Sequence, residues 1–254
     1  MQSKLMFLSM ASMLIFGASC SSHYVLTGVH RSRILVDDRY DASSDAKAVA
    51  FIKPYQHQVD SIMSPVVGTI SKYVAAHQPE SEISNLLADI LIWGGKEFNE
   101  HPVVSVYNMG GIRAPFAKGK VTYGDVVEVA PFENKICFLT LNGSELLELF
   151  GQIAKRGGEG INHGVNLVIS KDGKLLDAKV NGEEVDLAKD YRIATIDYLA
   201  QGNDGLGALK KGRNLLSPQE KKNDTRFIIM DYFREQMAKG ITVDPKMEGR
   251  IVVK

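Results

Sequence analysis

Three short segments carry the residues with the most chemistry to offer. They are Asn108-Met109-Gly110-Gly111-Ile112-Arg113, Pro131-Phe132-Glu133-Asn134, and the run from Asp197-Tyr198 to Asp204-Gly205. Each follows or borders an apolar run, where a strand would hand over to a loop. Together they supply two rings that can sandwich a flat base and an amide that can read its edge. They also supply a carboxylate suited to sugar hydroxyls and a guanidinium suited to phosphate.

Taken singly, each residue has an ordinary reading beside the chemical one. Gly110-Gly111 lets a backbone approach a ligand without Cβ obstruction, and a glycine pair is more often a plain turn. Arg113, two residues on, strengthens the ligand reading because its fixed fork of donors suits a planar anion, against the alternative of a surface ion pair. Phe132 follows a proline, and loop phenylalanines commonly face a core. Tyr198 and Phe132 on opposite loops could clamp a purine or pyrimidine from both faces, a contact that tolerates many bases. Asn134 lies two residues after Phe132, within reach of a base edge. Asp204 is either a ribose acceptor or a turn-forming aspartate.

The elements that must hold these residues are legible from periodicity and punctuation. Ala48 to Met63 has apolar residues at helical spacing and stops at Pro65. Val66–Ile70 reads as a strand. Ile83, Leu86, Leu87, Ile90 and Leu91 mark the buried face of a helix started at Ser81 or Pro79-Glu80. Val103–Tyr107 is a strand that delivers Asn108. Thr122–Val129 reads as one or two helical turns stopped by Pro131, and Lys135–Leu141 as a strand. Asn142-Gly-Ser-Glu145 is a capping box for a helix carrying Leu146, Leu149, Phe150 and Ile153 on one face. Val165–Ile169 and Leu175–Val180 read as a hairpin, with a further turn at Asn181-Gly182. Tyr191–Ile196 delivers Tyr198. Arg226–Ala238 is a helix stopped by Gly240, and Arg250–Val253 closes a sheet. Helices interspersed with antiparallel hairpins give the class α+β.

The three segments, in this order, with 19 residues from Arg113 to Phe132 and six from Tyr198 to Asp204, resemble the C-terminal, substrate-binding domain of the 5'-nucleotidase/UDP-sugar hydrolase family. The resemblance covers Ser81 to Asp204 well and the rest loosely. It implies mixed sheets with helices packed outside. It implies a substrate pocket formed by Asn108, Gly110, Gly111, Arg113, Phe132, Asn134, Tyr198 and Asp204, with Gly164 as a further pocket glycine. Two departures are visible. Tyr198 stands where the family has a phenylalanine, which adds a hydroxyl that needs a partner. Asn203 replaces a family glycine beside Asp204. The family's two further arginines before the Ser81 helix are also missing, since Tyr73 to Asn85 contains no arginine. The metallophosphatase half of the family relies on patterns such as Asp-x-His, Gly-Asn-His-Asp/Glu and Gly-His-x-His. None occurs here, and the six histidines are scattered.

Composition and the chain's start complete the expectation. Lys+Arg and Asp+Glu number 30 each, so there is no basic excess to hold a polynucleotide, and nucleic acid is not an expected partner. Residues 1–19 read as a signal peptide, with Lys4 ahead of an apolar run too short to span a bilayer. Gly17-Ala18-Ser19 then precedes Cys20, as in lipoprotein signals, where Cys20 would carry the lipid. The alternative is an ordinary secretory peptide with an incidental cysteine. Residues 20–48 read as a tether, with a possible edge strand at Arg33–Val36, and 49–254 as the domain. Cys137, inside an apolar run, reads as a small buried hydrophobe.

The expected function is the nucleotide- or nucleoside-binding half of a 5'-nucleotidase-type phosphohydrolase in nucleotide breakdown, lipid-anchored and facing the periplasm. It would act with a separate metallophosphatase chain carrying the divalent metals, with no cofactor in this chain. The other readings are a non-catalytic nucleoside- or nucleotide-binding lipoprotein, or an envelope interaction module.

Overall fold

The computed structural model describes residues 24–43 and 45–254; the expected signal peptide and Cys20 lie outside them. The chain divides into two units, one through Phe51 and one from Ile52. In the first, residues 24–36 have no regular structure, so the expected edge strand at Arg33–Val36 does not form. Its side chains there are exposed, and without a neighbouring strand the backbone pairing that would hold an edge is missing. A 3-10 segment, Asp38–Ser43, follows, and Arg39 bridges Asp37 with both ends of its fork. Helix α1, Ala46–Met63, runs across the boundary between the units and buries none of its side chains.

The second unit contains three sheets. Strand β1 (Val66–Ile70) pairs antiparallel with β3 (Gly119–Thr122). Helix α2 (Glu82–Gly94) begins at Ser81, whose side chain accepts from the Ser84 N–H while Ser84 answers the Ser81 N–H. That reciprocal pair satisfies two of the free donors at a helix start. Its apolar stripe of Ile83, Leu86, Leu87, Ile90 and Leu91 is buried, each side chain contributing roughly 1.5–3 kcal/mol.

The central sheet has five strands, in the order β10 (Arg213–Leu216), β4 (Ile136–Asn142), β9 (Asp190–Ile196), β2 (Val104–Tyr107) and β5 (Gly160–Ile161). Every neighbouring pair is antiparallel except β2 with β9. β2 is buried at all of its positions and β4 at all but its last, as expected of strands covered on both faces. Helix α2 packs on β2, β5 and β9. Helix α4 (Gly143–Lys155), capped by Asn142 in a reciprocal pair with Glu145, packs on β4 and β9. The short helix α3 (Tyr123–Val129) lies between β3 and β4, and α5 (Asp197–Ala200) follows β9. Cys137 in β4 is fully buried, and burial pushes its thiol up to about 11.

The third sheet has the order β11 (Ile251–Val253), β6 (Val165–Ile169), β7 (Leu175–Val180) and β8 (Glu183–Glu184), with β11 parallel to β6. The turn between β7 and β8 uses Asn181 and Gly182, both at positive φ, as a tight hairpin requires. Helix α6 (Thr225–Ala238) packs against α2 and β1. Arg250, just before β11, is buried and donates to Asp89 with both terminal nitrogens, to Glu248, and to the carbonyls of Asn85 and Ile161. Buried Glu80 accepts from the Glu248 N–H and the Asn85 amide. This network ties the last strand to the start of α2. Among the described residues no helix is long and apolar enough to cross a membrane.

Candidate functional site

The registers of the central sheet decide where the site forms. Ile136 pairs with Ile196, so the loop entering β4 and the loop leaving β9 lie at the same end. β2 runs parallel to β9, which brings the residues after Tyr107 to that end as well. Tyr107 pairs with Gly160, so the segment entering β5 joins them. Four loops from distant parts of the sequence thus converge. They enclose a cavity of about 250 Å³ lined by Asn108, Gly110, Gly111, Phe132, Asn134, Arg156, Tyr198 and Asp204.

Asp204 is the hub. It stands at φ 55°, in the left-handed region that aspartate tolerates better than most residues. Its Oδ1 accepts from the Tyr198 hydroxyl at 3.0 Å and its Oδ2 from the Asn108 amide at 2.7 Å. Asn203, the residue that departs from the family's glycine, donates to the Tyr198 carbonyl at 2.7 Å and braces the same turn. The Tyr198 hydroxyl therefore has its partner. That hydrogen bond, with the charge of Asp204, lifts the phenol above its ordinary value and keeps it a neutral donor.

Asn108 is buried, and with its amide committed to Asp204 its Oδ1 has no hydrogen-bond partner among the described residues. Flipping the amide would set an oxygen against a carboxylate, so the orientation is fixed by charge. A buried acceptor in this state favours a ligand donor. Gly111 is needed beside it, because a Cβ there would lie 2.6 Å from Asn108 Oδ1. Gly110 has ordinary space.

The two rings are the exposed aromatics of the site. Phe132 is 47% exposed and Tyr198 38% exposed. The Phe132 loop is pinned at its base: Asn134 O accepts the Thr225 N–H at 2.8 Å, and Arg226 donates to Pro131 O at 3.0 Å. The start of α6 therefore holds the loop without covering the ring.

Two of the expected residues lie elsewhere. Arg113 is exposed, donates to Gly110 O at 3.2 Å, and is not among the side chains that line the cavity. The loop turns at Ile112 and the Arg113 N–H bonds Val129 O, which directs the residue towards the end of α3. Gly164, at φ 92°, forms the turn into β6 against Asn181 and is also outside the cavity lining.

Two further residues were not singled out from sequence. Arg156 caps α4 and lines the cavity; Glu159, just before β5, is buried. Glu159 accepts the Met109 N–H at 2.6 Å through Oε2 and the Arg156 guanidinium through Oε1. Burial is the largest influence on Glu159 and sets its carboxyl above the usual range, against the pull of Met109 and Arg156. Burial works against the charge of Arg156, but Glu159 and Asp204 outweigh it and raise its pKa. Both partners moving up is consistent: the deeper one is governed by desolvation, the more open one by its neighbours. Among the described residues no three His, Cys, Asp or Glu side chains gather into a metal-binding group.

Comparison with known proteins places this arrangement. The chain is similar to the trifunctional nucleotide phosphoesterase protein YfkN of Bacillus subtilis, 26% identical over 236 residues that make up 85% of this chain and 16% of that protein. It is similar to protein UshA of Escherichia coli, 26% identical over 168 residues, 65% of this chain and 30% of that one. It thus spans less than a third of either relative. Among solved structures, the 5'-nucleotidase precursor from Thermus thermophilus superposes with a TM-score of 0.68 and 26% identity, over 81% of this chain and 42% of that one. The family model for the 5'-nucleotidase C-terminal domain matches residues 66–211, more than half of the sequence, and the chain belongs to that family.

Proposed function

We propose that this chain is the nucleotide- or nucleoside-binding half of a 5'-nucleotidase-type phosphohydrolase acting in nucleotide breakdown. The base lies between Phe132 and Tyr198, Asn134 meets its edge, and Asp204 accepts the sugar hydroxyls while Asn108 braces Asp204. The observation that carries this reading is the pair of half-open rings on one cavity that is also lined by a carboxylate held through both of its oxygens. Nucleotide chemistry in the names of YfkN and the Thermus enzyme supports it. Hydrolysis itself is assigned to a metallophosphatase on a separate chain, which holds the divalent ions that activate water and neutralise developing charge. This chain contributes orientation and specificity. A lipid on Cys20 would hold it to the envelope, facing the periplasm.

The test has two arms. Calorimetric titration with adenosine, uridine and their 5'-monophosphates should give saturable binding; a folded protein that binds none of them at millimolar concentration leaves the envelope-module reading in its place. Phosphate release should be negligible for the purified chain with added divalent metal, and appear on mixing with a single-domain metallophosphatase from the same cell. Robust metal-dependent release by this chain alone, lost in Phe132→Ala and absent from a mock purification, overturns the separate-chain assignment. Retention of the Cys20→Ser protein in membranes after normal signal removal overturns the lipid anchor.

A further inference from the structure

We propose that Arg156 reads the sugar: its guanidinium donates to a ribose hydroxyl oxygen whose proton Asp204 accepts, making Arg156 a residue that selects ribose over deoxyribose. The inference rests on the nucleoside reading above and adds to it a residue from a different loop.

The geometry begins with what each group can still do. A guanidinium has five N–H donors and no acceptor. In Arg156, Nε is committed to Glu159, and neither terminal nitrogen makes a hydrogen bond with a described residue. Nη2 lies 3.9 Å from Asp204 Oδ2, too far for a hydrogen bond and close enough for attraction. The guanidinium does not swing freely to close that gap. Glu159 is 1% exposed and locked from its other side by the Met109 N–H, so the anchor of Arg156 is itself fixed. Among the described residues, Arg156 is the only cationic side chain lining the cavity.

A hydroxyl supplies one proton and two lone pairs. A carboxylate can answer only the proton. A guanidinium can answer only the lone pairs. Asp204 and Arg156 side by side therefore form a complementary pair for a hydroxyl. An oxygen about 2.8 Å from each atom closes a triangle over the 3.9 Å gap between them. Asp204 already accepts from Tyr198 and Asn108, yet a carboxylate has about four lone-pair sites, which leaves capacity for a ligand. A phosphate at this spot is disfavoured, because Glu159 and Asp204 outnumber Arg156 and leave the cluster negative. The chemistry thus selects a neutral hydroxyl.

The experiment measures Kd by calorimetry for adenosine, 2'-deoxyadenosine and 3'-deoxyadenosine. It uses the full chain as wild type, Arg156→Gln, Arg156→Lys and Glu159→Gln, with thermal melts to show that each is folded. Wild type should prefer adenosine over at least one deoxy form. Arg156→Gln should lose roughly tenfold or more on adenosine, and much less on the deoxy form that lacks the contacted hydroxyl, so the preference collapses. Arg156→Lys should recover part of the preference, and Glu159→Gln should fall between. An equal loss on all three ligands, or no change on adenosine, overturns the proposal and leaves the nucleoside reading standing. If folded wild type binds none of the three, the nucleoside reading fails first and takes this inference with it. Should Arg156→Gln not fold, the lysine and Glu159 variants decide by the same ratio.

Discussion

Truncating Phe132 tests the stacking reading most directly. A phenylalanine side chain carries roughly 150–250 Å². The 47% left open in the fold is then on the order of 100 Å², worth on the order of 2 kcal/mol if a base covers it. That figure lies inside the roughly 1–3 kcal/mol expected for one base on one ring, and about 2 kcal/mol corresponds to roughly a 30-fold change in Kd. Phe132→Ala should therefore weaken adenosine and uridine by about that factor, read by calorimetric titration. Stability should fall much less, because the loop is held by backbone contacts of Pro131 and Asn134 rather than by the ring. Tyr198→Ala should cost at least as much, since it removes the second ring and a donor to Asp204. Unchanged affinity in Phe132→Ala, or a loss matched by general unfolding, would refute the clamp.

Other outcomes follow from the same geometry. Glu159 has a folded pKa above the ordinary value of 4.5, so nucleoside affinity should decline as pH falls through that raised value, when the anchor of Arg156 is neutralised. Its contribution to stability has the opposite sign: the fold favours the protonated acid, so the contribution is complete below the unfolded pKa and is lost as pH rises through the folded one. Glu159→Gln should flatten the acid limb in titrations run across pH. Gly111→Ala should weaken binding by displacing Asn108 from Asp204, and a titration that matches wild type contradicts the steric argument. Arg250→Ala should destabilise the fold by about 3–5 kcal/mol, seen as a lower midpoint in urea, because two carboxylates and two carbonyls lose one buried donor. The Cys137 thiol should resist alkylation in the native protein and react on denaturation, as peptide mapping would show.

The helices of the second unit were legible because their signals are local. Ser81 and Asn142 each open a helix with a reciprocal cap, and the apolar stripes behind them follow the 3.6-residue period. The β6–β7 hairpin and the Asn181-Gly182 turn were similarly written in neighbouring residues. Phe132, Asn134 and Tyr198 stand within a few residues of the ends of β4 and β9, and Asp204 follows in the turn after α5; the resemblance named them as a group, and the pairing of those two strands helps bring them together. Arg156 and Glu159 were missed for a physical reason. An arginine at a helix end reads as a cation complementing the dipole, and a glutamate among glycines reads as solvated. Their roles arise from β5 pairing with β2, about which residues 156–159 carry no local signal beyond the Arg-Gly-Gly-Glu-Gly run itself. Arg113 shows the converse: the motif identifies the residue, and the turn at Ile112 decides where it points.

The parallel pairing of β2 with β9 sets a timetable for the site. Val104 must find Ile193, 89 residues further along the chain, and contacts that distant in sequence form late because a large loop must close first. A chain emerging from the ribosome has its Asn108 loop and its Phe132 loop long before it has Tyr198 or Asp204. Until β9 is made, neither the second ring nor the carboxylate exists for a ligand to meet. On the proposed reading, retention on a nucleoside-bearing matrix would report completed folding of the central sheet rather than the presence of any one segment.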